Sequence, residues 1–330
     1  MCARARRRLS CRPPHSLRPL ATLLVVLAAL ASPAPALADV EPSADPLEVD
    51  TERERGSRPR SWVNGDLAGY VQPGARAGGA TLDKAHLHAS LGSALPPMRG
   101  VLVTGELEVG YTRYRFDDFE ALGAAVSEPI EDATIARFGP GLVWPVLDDL
   151  TLIVSGGVGF AVGDGAPLER ALTYGAVSVL AWRVSDTLSL AAVLIANSRL
   201  DDDPLILPVA GFDWQPSERW RFELTGDIAG PTLRGRYRLG DEWWASLAGR
   251  WESDVYRIES DATGLGTVRD EQLTALAGVT WTPSPGVALG LRAGAALADT
   301  IVVDDRDTGR VGSERFGASP VAGAMLELAI

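Results

Sequence analysis

The sequence predicts an all-β chain, a transmembrane up-and-down antiparallel β-barrel of about fourteen strands. Three observations predict it. Apolar and polar residues alternate with period two over most of the chain. The connections alternate between tight turns and mostly longer loops. Tryptophan and tyrosine gather toward opposite ends of the alternating segments. The chain has 330 residues, 46% of them hydrophobic. Past residue 38, however, no apolar stretch approaches the roughly 18 residues that a membrane helix needs. The hydrophobicity is distributed as faces rather than as spans.

The amino-terminal segment reads differently. Arg4, Arg6, Arg7, Arg8, Arg12 and Arg18 precede the apolar run Leu20–Ala31, and Ala36-Leu37-Ala38 is a small-residue cleavage site. This is the order of an export signal over residues 1–38. Its removal takes the net charge from −12 to −18 and carries away Cys2 and Cys11, so disulfides, thiol catalysis and cysteine metal sites are excluded. Residues 39–60 are charged, proline-containing and poor in aromatics, the composition of a flexible linker. The acidic balance excludes a general nucleic-acid binder.

From residue 61 the alternation begins. Val101, Val103, Leu107, Val109 and Tyr111 share one face, opposite Thr104, Glu106, Glu108 and Thr112. Trp220, Phe222, Leu224 and Ile228 oppose Arg219, Arg221, Glu223, Thr225 and Asp227. Leu233, Tyr237 and Leu239 oppose Arg234, Arg236 and Arg238, and Val287, Leu289, Leu291, Ala293 and Ala295 oppose the side of Arg292. The segments are 61–72, 81–95, 100–115, 133–144, 150–162, 171–184, 188–199, 205–214, 219–228, 232–239, 243–258, 268–282, 287–302 and 317–330. Tight connections carry turn residues, as in Pro96-Pro97, Ser185-Asp186-Thr187 and Gly240-Asp241. The longer set comprises 73–80, 116–132, 163–170, 200–204, 259–267 and 303–316, with 229–231 a short exception.

The charges decide which face is lipid-exposed. Lys84, Glu106, Glu108, Arg137, Glu223, Asp227, Arg234, Arg236, Arg238, Arg250, Glu252, Arg292 and Glu327 share a wetted lumen if their faces point inward. Fourteen strands also enclose more space than an apolar core fills, since about eight is the filled case. Trp62, Trp144, Trp182, Trp214, Trp220, Trp243, Trp244 and Trp281 lie near short-turn ends, with Trp251 mid-strand. Tyr70, Tyr111, Tyr114, Tyr174 and Tyr256 lie toward long-loop ends, with Tyr237 the exception. Two aromatic girdles follow, because an apolar ring with a polar tip suits a membrane–water interface. The competing architecture is a secreted soluble protein of two β-sandwiches, which gives no cause for this sorting.

The stretch 199–239 contains Asp202-Asp203-Pro204, Gly211-Phe212-Asp213-Trp214, Arg219-Trp220-Arg221 and Arg236-Tyr237-Arg238, and Asp241, Glu242 and Trp243 follow. In these motifs it resembles a family of predicted bacterial outer-membrane β-barrels whose domain has no assigned function. The resemblance extends less distinctly over most of 62–330. It implies fold and location and carries no catalytic residue. Barrels of this kind usually end on an aromatic residue read by the insertion machinery. Here Gly323, Leu326 and Leu328 keep the spacing, and Ile330 stands in the aromatic position.

Candidate chemistry is sparse. Lys84, His86, His88 and Ser90 share one strand face. They suggest a hydrolase with a histidine base and a serine nucleophile, or a two-histidine metal site completed by a carboxylate. Neither a Gly-x-Ser-x-Gly elbow nor a His-Glu-x-x-His motif supports these, and a polar lumen wall is the simpler account. The ladder Arg234, Arg236, Arg238 biases a lumen toward anions unless Glu223, Asp227 and Glu252 neutralise it, which is the expectation. The acids Asp117, Asp118, Glu120, Glu128, Glu131, Asp132, Asp201–Asp203, Asp304 and Asp305 read as solvated loop charges.

The expectation is an integral outer-membrane barrel of a Gram-negative-type bacterium, with fourteen strands, or twelve if 219–239 lies outside the wall. Its partners are outer-membrane lipid and the insertion machinery, with no cofactor and no nucleic acid. Its role is a non-enzymatic channel or structural barrel with a charge-paired lumen. The alternatives are a barrel hydrolase on His86 and His88 and a secreted soluble ligand-binding protein.

Overall fold

The computed structural model describes residues 62–329, apart from 96, 97, 99, 118–128, 164, 199, 201–203, 227–229, 261–263 and 306–308. The strands are β1 (Trp62–Ala77), β2 (Ala80–Ala94), β3 (Leu102–Asp117), β4 (Asp132–Leu147), β5 (Leu150–Gly163), β6 (Leu172–Ser185), β7 (Leu188–Asn197), β8 (Leu205–Ser217), β9 (Trp220–Gly226), β10 (Pro231–Arg238), β11 (Trp243–Ser260), β12 (Gly264–Ser284), β13 (Val287–Asp305), β14 (Gly309–Phe316) and β15 (Ser319–Ala329). Neighbours pair antiparallel in chain order from β1 to β13, and β15 pairs with both β1 and β13, so the sheet closes on itself. β14 covers Asp299–Asp305 of β13 and β15 covers Val287–Ala296. The two are one wall position interrupted at Gly317-Ala318.

The chain is therefore a closed antiparallel barrel of fourteen wall positions. β9 and β10 lie in that wall, paired to β8 and β11, so the twelve-strand arrangement is excluded. Three expected loops are shorter than the alternation implied. Of 73–80 only 78–79 form a turn, β11 runs to Ser260 and β12 starts at Gly264, and β13 runs to Asp305 with β14 starting at Gly309. The reason lies in the outward residues of these extensions, such as Arg269, Glu271 and Arg315. Beyond the lipid zone the outer face turns polar, and the contrast that marks a strand in sequence disappears.

Two bulges preserve the inward face at this height. In β13 the register shifts between Leu273↔Ala298 and Thr274↔Ala296, leaving Leu297 as the extra residue. Even-numbered residues face inward below it and odd-numbered ones above, so Asp299 points into the lumen. In β1 the shift falls between Gln72 and Ala75, where Gly74 adopts φ +68° and its N–H donates to Asp83 Oδ1 at 2.6 Å. A side chain is disfavoured at that φ.

The outer surface is a broad apolar band, with Leu107, Phe138, Leu142, Leu180, Leu194 and Leu247 all exposed. Trp144, Trp182, Trp214, Trp220, Trp243 and Trp281 border it at the short-turn rim. Tyr174 and Trp251 border the other side, each eight residues along its strand from Trp182 or Trp243. Eight residues at β rise and barrel tilt span roughly 20 Å, close to the height of an outer-membrane apolar band. Trp251, mid-strand in the sequence, is thus a girdle residue, because β11 runs on past the lipid zone. A secreted soluble fold is incompatible with this all-round apolar exterior.

Above that zone the barrel narrows. β6–β10 stop short, and β5 meets β11 directly through a parallel bridge, Val162↔Arg257. Arg257 reaches outward from the bridge, its Nε donating to Arg170 O at 3.2 Å and its Nη2 to Leu200 O. The narrowed section is filled by Leu82, Tyr114, Phe116, Ile258, Ile301 and Phe316, among others. β4 and β5 approach closely at inward-facing Gly157, where a Cβ stands 2.6 Å from Phe138 O.

Candidate functional site: the barrel lumen

Just beneath the filled section, side chains from five wall positions meet across the lumen. Lys84 Nζ on β2 lies 2.7 Å from Asp270 Oδ1 on β12 and 2.7 Å from Asp299 Oδ2 on β13. The same Asp299 oxygen accepts from Gln72 Nε2 at 3.0 Å and Gln272 Nε2 at 3.2 Å, and Gln272 also donates to Gln72 Oε1. Tyr114 on β3 donates its hydroxyl to Asp270 Oδ2 at 2.7 Å, and Lys84 lies over its ring. The side chains of Lys84 and Asp299 have no exposed surface. Charges removed from water to this degree persist only when paired and hydrogen-bonded. The network is a polar plug tying β1–β3 to β12–β13.

A second tie crosses just below. Arg137 Nη1 on β4 donates to both Glu108 oxygens, at 2.9 and 3.1 Å, and its Nη2 lies 3.5 Å from Asp254 on β11. His88 stands between Asp66 and Glu108, at 3.6 and 3.7 Å. Below the plug the lumen is charged and half-buried. Glu223 holds Arg221 Nε at 2.8 Å and Arg236 Nη2, with Arg234 Nη1 at 4.0 Å, while Arg221 also forks onto Asp213. Arg250 pairs with Glu252 on its own strand at 3.1 Å. Arg238 lies over Trp244, which faces inward with it.

The sequence-predicted residues sort as follows. Glu106, Glu108, Glu223, Arg234, Arg236, Arg238, Arg250 and Glu252 all stand on inward faces. Asp227 lies outside the described residues. Lys84, His86, His88 and Ser90 share the inward face of β2. Their contacts are not those of a catalytic set. Ser90 donates to Asp66 rather than to a histidine, and His86 Nδ1 pairs with Thr112 Oγ1 at 2.8 Å. Among the described residues, no group of three or more His, Cys, Asp or Glu converges as a metal set.

The girdle assignment needs correction at Tyr70, Tyr114 and Tyr256, and at Trp244, which faces inward beside Arg238. Tyr70 faces inward and stacks on His86, ring centroids 5.0 Å apart. Tyr256 is buried in the narrowed section, edge-on to Tyr114. Tyr70 shares its face with Asn64, Asp66 and Gln72, and Tyr256 shares its face with Glu252 and Asp254. Height along the strand placed them correctly, and the choice of face did not. The side chain of Trp62 lies outside the described residues. Of the loop acids, Asp132 accepts from Tyr111, Asp117 lies 3.7 Å from Arg115, and Asp304 lies 3.9 Å from Arg269. Residues 118, 120, 128 and 201–203 lie outside the described set.

The sequence reading missed the plug apart from Lys84. Gln72, Asp270 and Gln272 sit at strand ends adjoining stretches taken for loops. Asp299 reads as outward under strict alternation from Leu289 and Leu291, because the Leu297 bulge has no sequence signature.

No known family profile matches the chain, and no curated protein matches it. Among solved structures it is similar to an outer-membrane channel from Pseudomonas putida F1, at 10% identity and TM-score 0.44, covering 84% of this chain and 98% of that one. It is also similar to the P. putida toluene transporter TodX, at 9% identity and TM-score 0.38, covering 83% and 91%. A Pseudomonas aeruginosa FadL homologue matches at 11% identity and TM-score 0.41, covering 82% and 89%. These are distant resemblances of barrel to barrel.

Proposed function

We propose that the chain is a non-enzymatic outer-membrane channel closed near its outer end by the Lys84 plug. One observation carries this reading: Lys84, Asp270 and Asp299 meet across the lumen of a closed barrel whose exterior is apolar and whose lower interior is charged. A purely structural barrel has no need of an ionic contact between opposite walls, which costs desolvation at each charge. A channel needs a closure that can be released. Releasing the plug then lets the filled section above it part with it, since its side chains Leu82, Phe116 and Ile301 stand on the same strands. In this reading residues 1–38 direct export, and the insertion machinery assembles the chain through its last strand. The short-turn rim, where β1 begins and β15 ends, faces the periplasm. The resemblance of the motifs at 211–214 and 236–238 to those of outer-membrane barrels of unassigned role supports the same location.

Osmotic swelling of proteoliposomes with a small sugar tests the proposal. Wild-type barrels swell no faster than empty vesicles, and Lys84→Met barrels swell several-fold faster. Folding is checked for each by heat-modifiable migration. Wild-type protein that swells freely, or folded Lys84→Met protein that stays tight, overturns the reading.

A further inference from the structure

Charge in the lower lumen is divided by wall. On β8–β11 and β13 the inward guanidiniums of Arg221, Arg234, Arg236, Arg238, Arg250 and Arg292 outnumber the carboxylates of Asp213, Glu223 and Glu252. Those carboxylates are committed: Asp213 to Arg221, Glu223 to Arg221 and Arg236, Glu252 to Arg250. Two arginines are left underserved. Arg234 reaches Glu223 only at 4.0 Å, on an oxygen that forms no hydrogen bond. Arg292 lies against the Met325 sulfur, a weak acceptor, with no carboxylate oxygen within 4.0 Å among the described residues. The remaining acid stands on β15, β1 and β3. Glu327 lies on the strand next to β13, within electrostatic reach of Arg292 but beyond ion-pair distance. Asp66, Glu106 and Glu108 follow around the wall.

Strand pairing brings these arginines together. Arg250 pairs with Thr232 and Arg234 with Ala248 across β10–β11, and Arg292 lies two strands on, paired with Gly278. Gly278 has no side chain to separate Arg292 from Ser246 on β11, since a Cβ there stands 2.9 Å from Arg292 and 3.1 Å from Ser246 Oγ. Planar guanidiniums at this density, half-sheltered from water, match the oxygens of a polyvalent oxyanion better than single chloride ions.

We propose that Arg234, Arg236, Arg250 and Arg292 form a binding station for a small polyvalent oxyanion, of phosphate or pyrophosphate type, on the periplasmic side of the plug. This deepens the channel reading by naming the class of solute that the lumen favours. The expected charge-pairing of the arginine ladder holds for Arg236 and leaves Arg234 and Arg292 for the ligand.

Calorimetric titration of the full barrel in a neutral detergent tests it, with inorganic pyrophosphate against sodium chloride at matched ionic strength. Wild-type protein binds one pyrophosphate per barrel, at least tenfold more tightly than any chloride effect. Arg234→Gln/Arg292→Gln weakens this at least tenfold while keeping heat-modifiable migration. Pyrophosphate heats no different from the salt control, or a folded double variant that binds like wild type, overturn the station. If the double variant does not fold, Glu223→Gln decides, with tighter binding expected and unchanged or weaker binding contradicting the proposal. Sugar permeation through Lys84→Met barrels is read separately, so the channel reading and the station fail independently.

Discussion

Lys84 of β2 and Asp299 of β13 meet at 2.7 Å in the barrel lumen, and neither side chain is exposed. Lys84 is the only lysine in the sequence, where every other basic side chain is arginine. A lysine offers three donors on a compact charge, and two of them reach carboxylates on adjacent strands here. Removing one partner of such a pair costs about 3–5 kcal/mol because the other charge stays buried. Asp299→Asn is expected to lower the midpoint of heat-modifiable unfolding, and Asp299→Asn/Lys84→Met to recover part of the loss. A midpoint unchanged in Asp299→Asn would show that the pair contributes nothing.

Beyond the Leu297 bulge Asp299 faces the lumen. Deleting Leu297 removes only the extra residue, so alternation from Ala296 keeps Asp299 and Ile301 facing inward. Deleting Leu297 and Ala298 together turns both outward, since a one-residue slip reverses every side chain beyond it. The double deletion is expected to insert poorly and to lose its heat-modifiable form, and the deletion of Leu297 alone to keep it. Equal folding of both would mean that the register beyond Ala296 does not set the face of Asp299.

The girdles are placed by geometry. Single-tryptophan variants retaining Trp182 or Trp251 are expected to be quenched most strongly by lipids labelled near the headgroup. Trp244, which faces inward beside Arg238, is expected to respond to aqueous quencher and not to labelled lipid. Lipid quenching of Trp244 would reverse the facing of β11.

The close approach of β4 and β5 depends on a missing side chain. At Gly157 a Cβ stands 2.6 Å from Phe138 O and 3.1 Å from the Gly139 Cα. Gly157→Val is expected to cut the folded yield several-fold, as scored by gel migration. Gly79→Val at the β1–β2 turn, where a Cβ meets nothing within 4 Å, is expected to leave it unchanged.

The sequence made the barrel legible because lipid imposes one rule on every strand. An outward face such as Trp220, Phe222 and Leu224 must be apolar, and the inward face need not be. That rule ends at the lipid boundary, so β14 and the upper parts of β11 and β12 read as loops. The lumen charges were legible as a set, because Glu223 and Arg234 oppose apolar neighbours on their own strands. Their pairing was not, since the contact of Lys84 with Asp270 depends on how the ring closes. Tyr70 and Tyr256 show the same limit: sequence gives height along a strand, and a bulge or polar neighbours decide the face.

Single-channel recording in planar bilayers, comparing wild type with Lys84→Met, tests the central claim most directly. The plug predicts long silent periods in wild type and a steady conductance in the variant, at the same amount of folded protein. A steady wild-type conductance that Lys84→Met leaves unchanged would show that the contact between Lys84, Asp270 and Asp299 does not close the lumen.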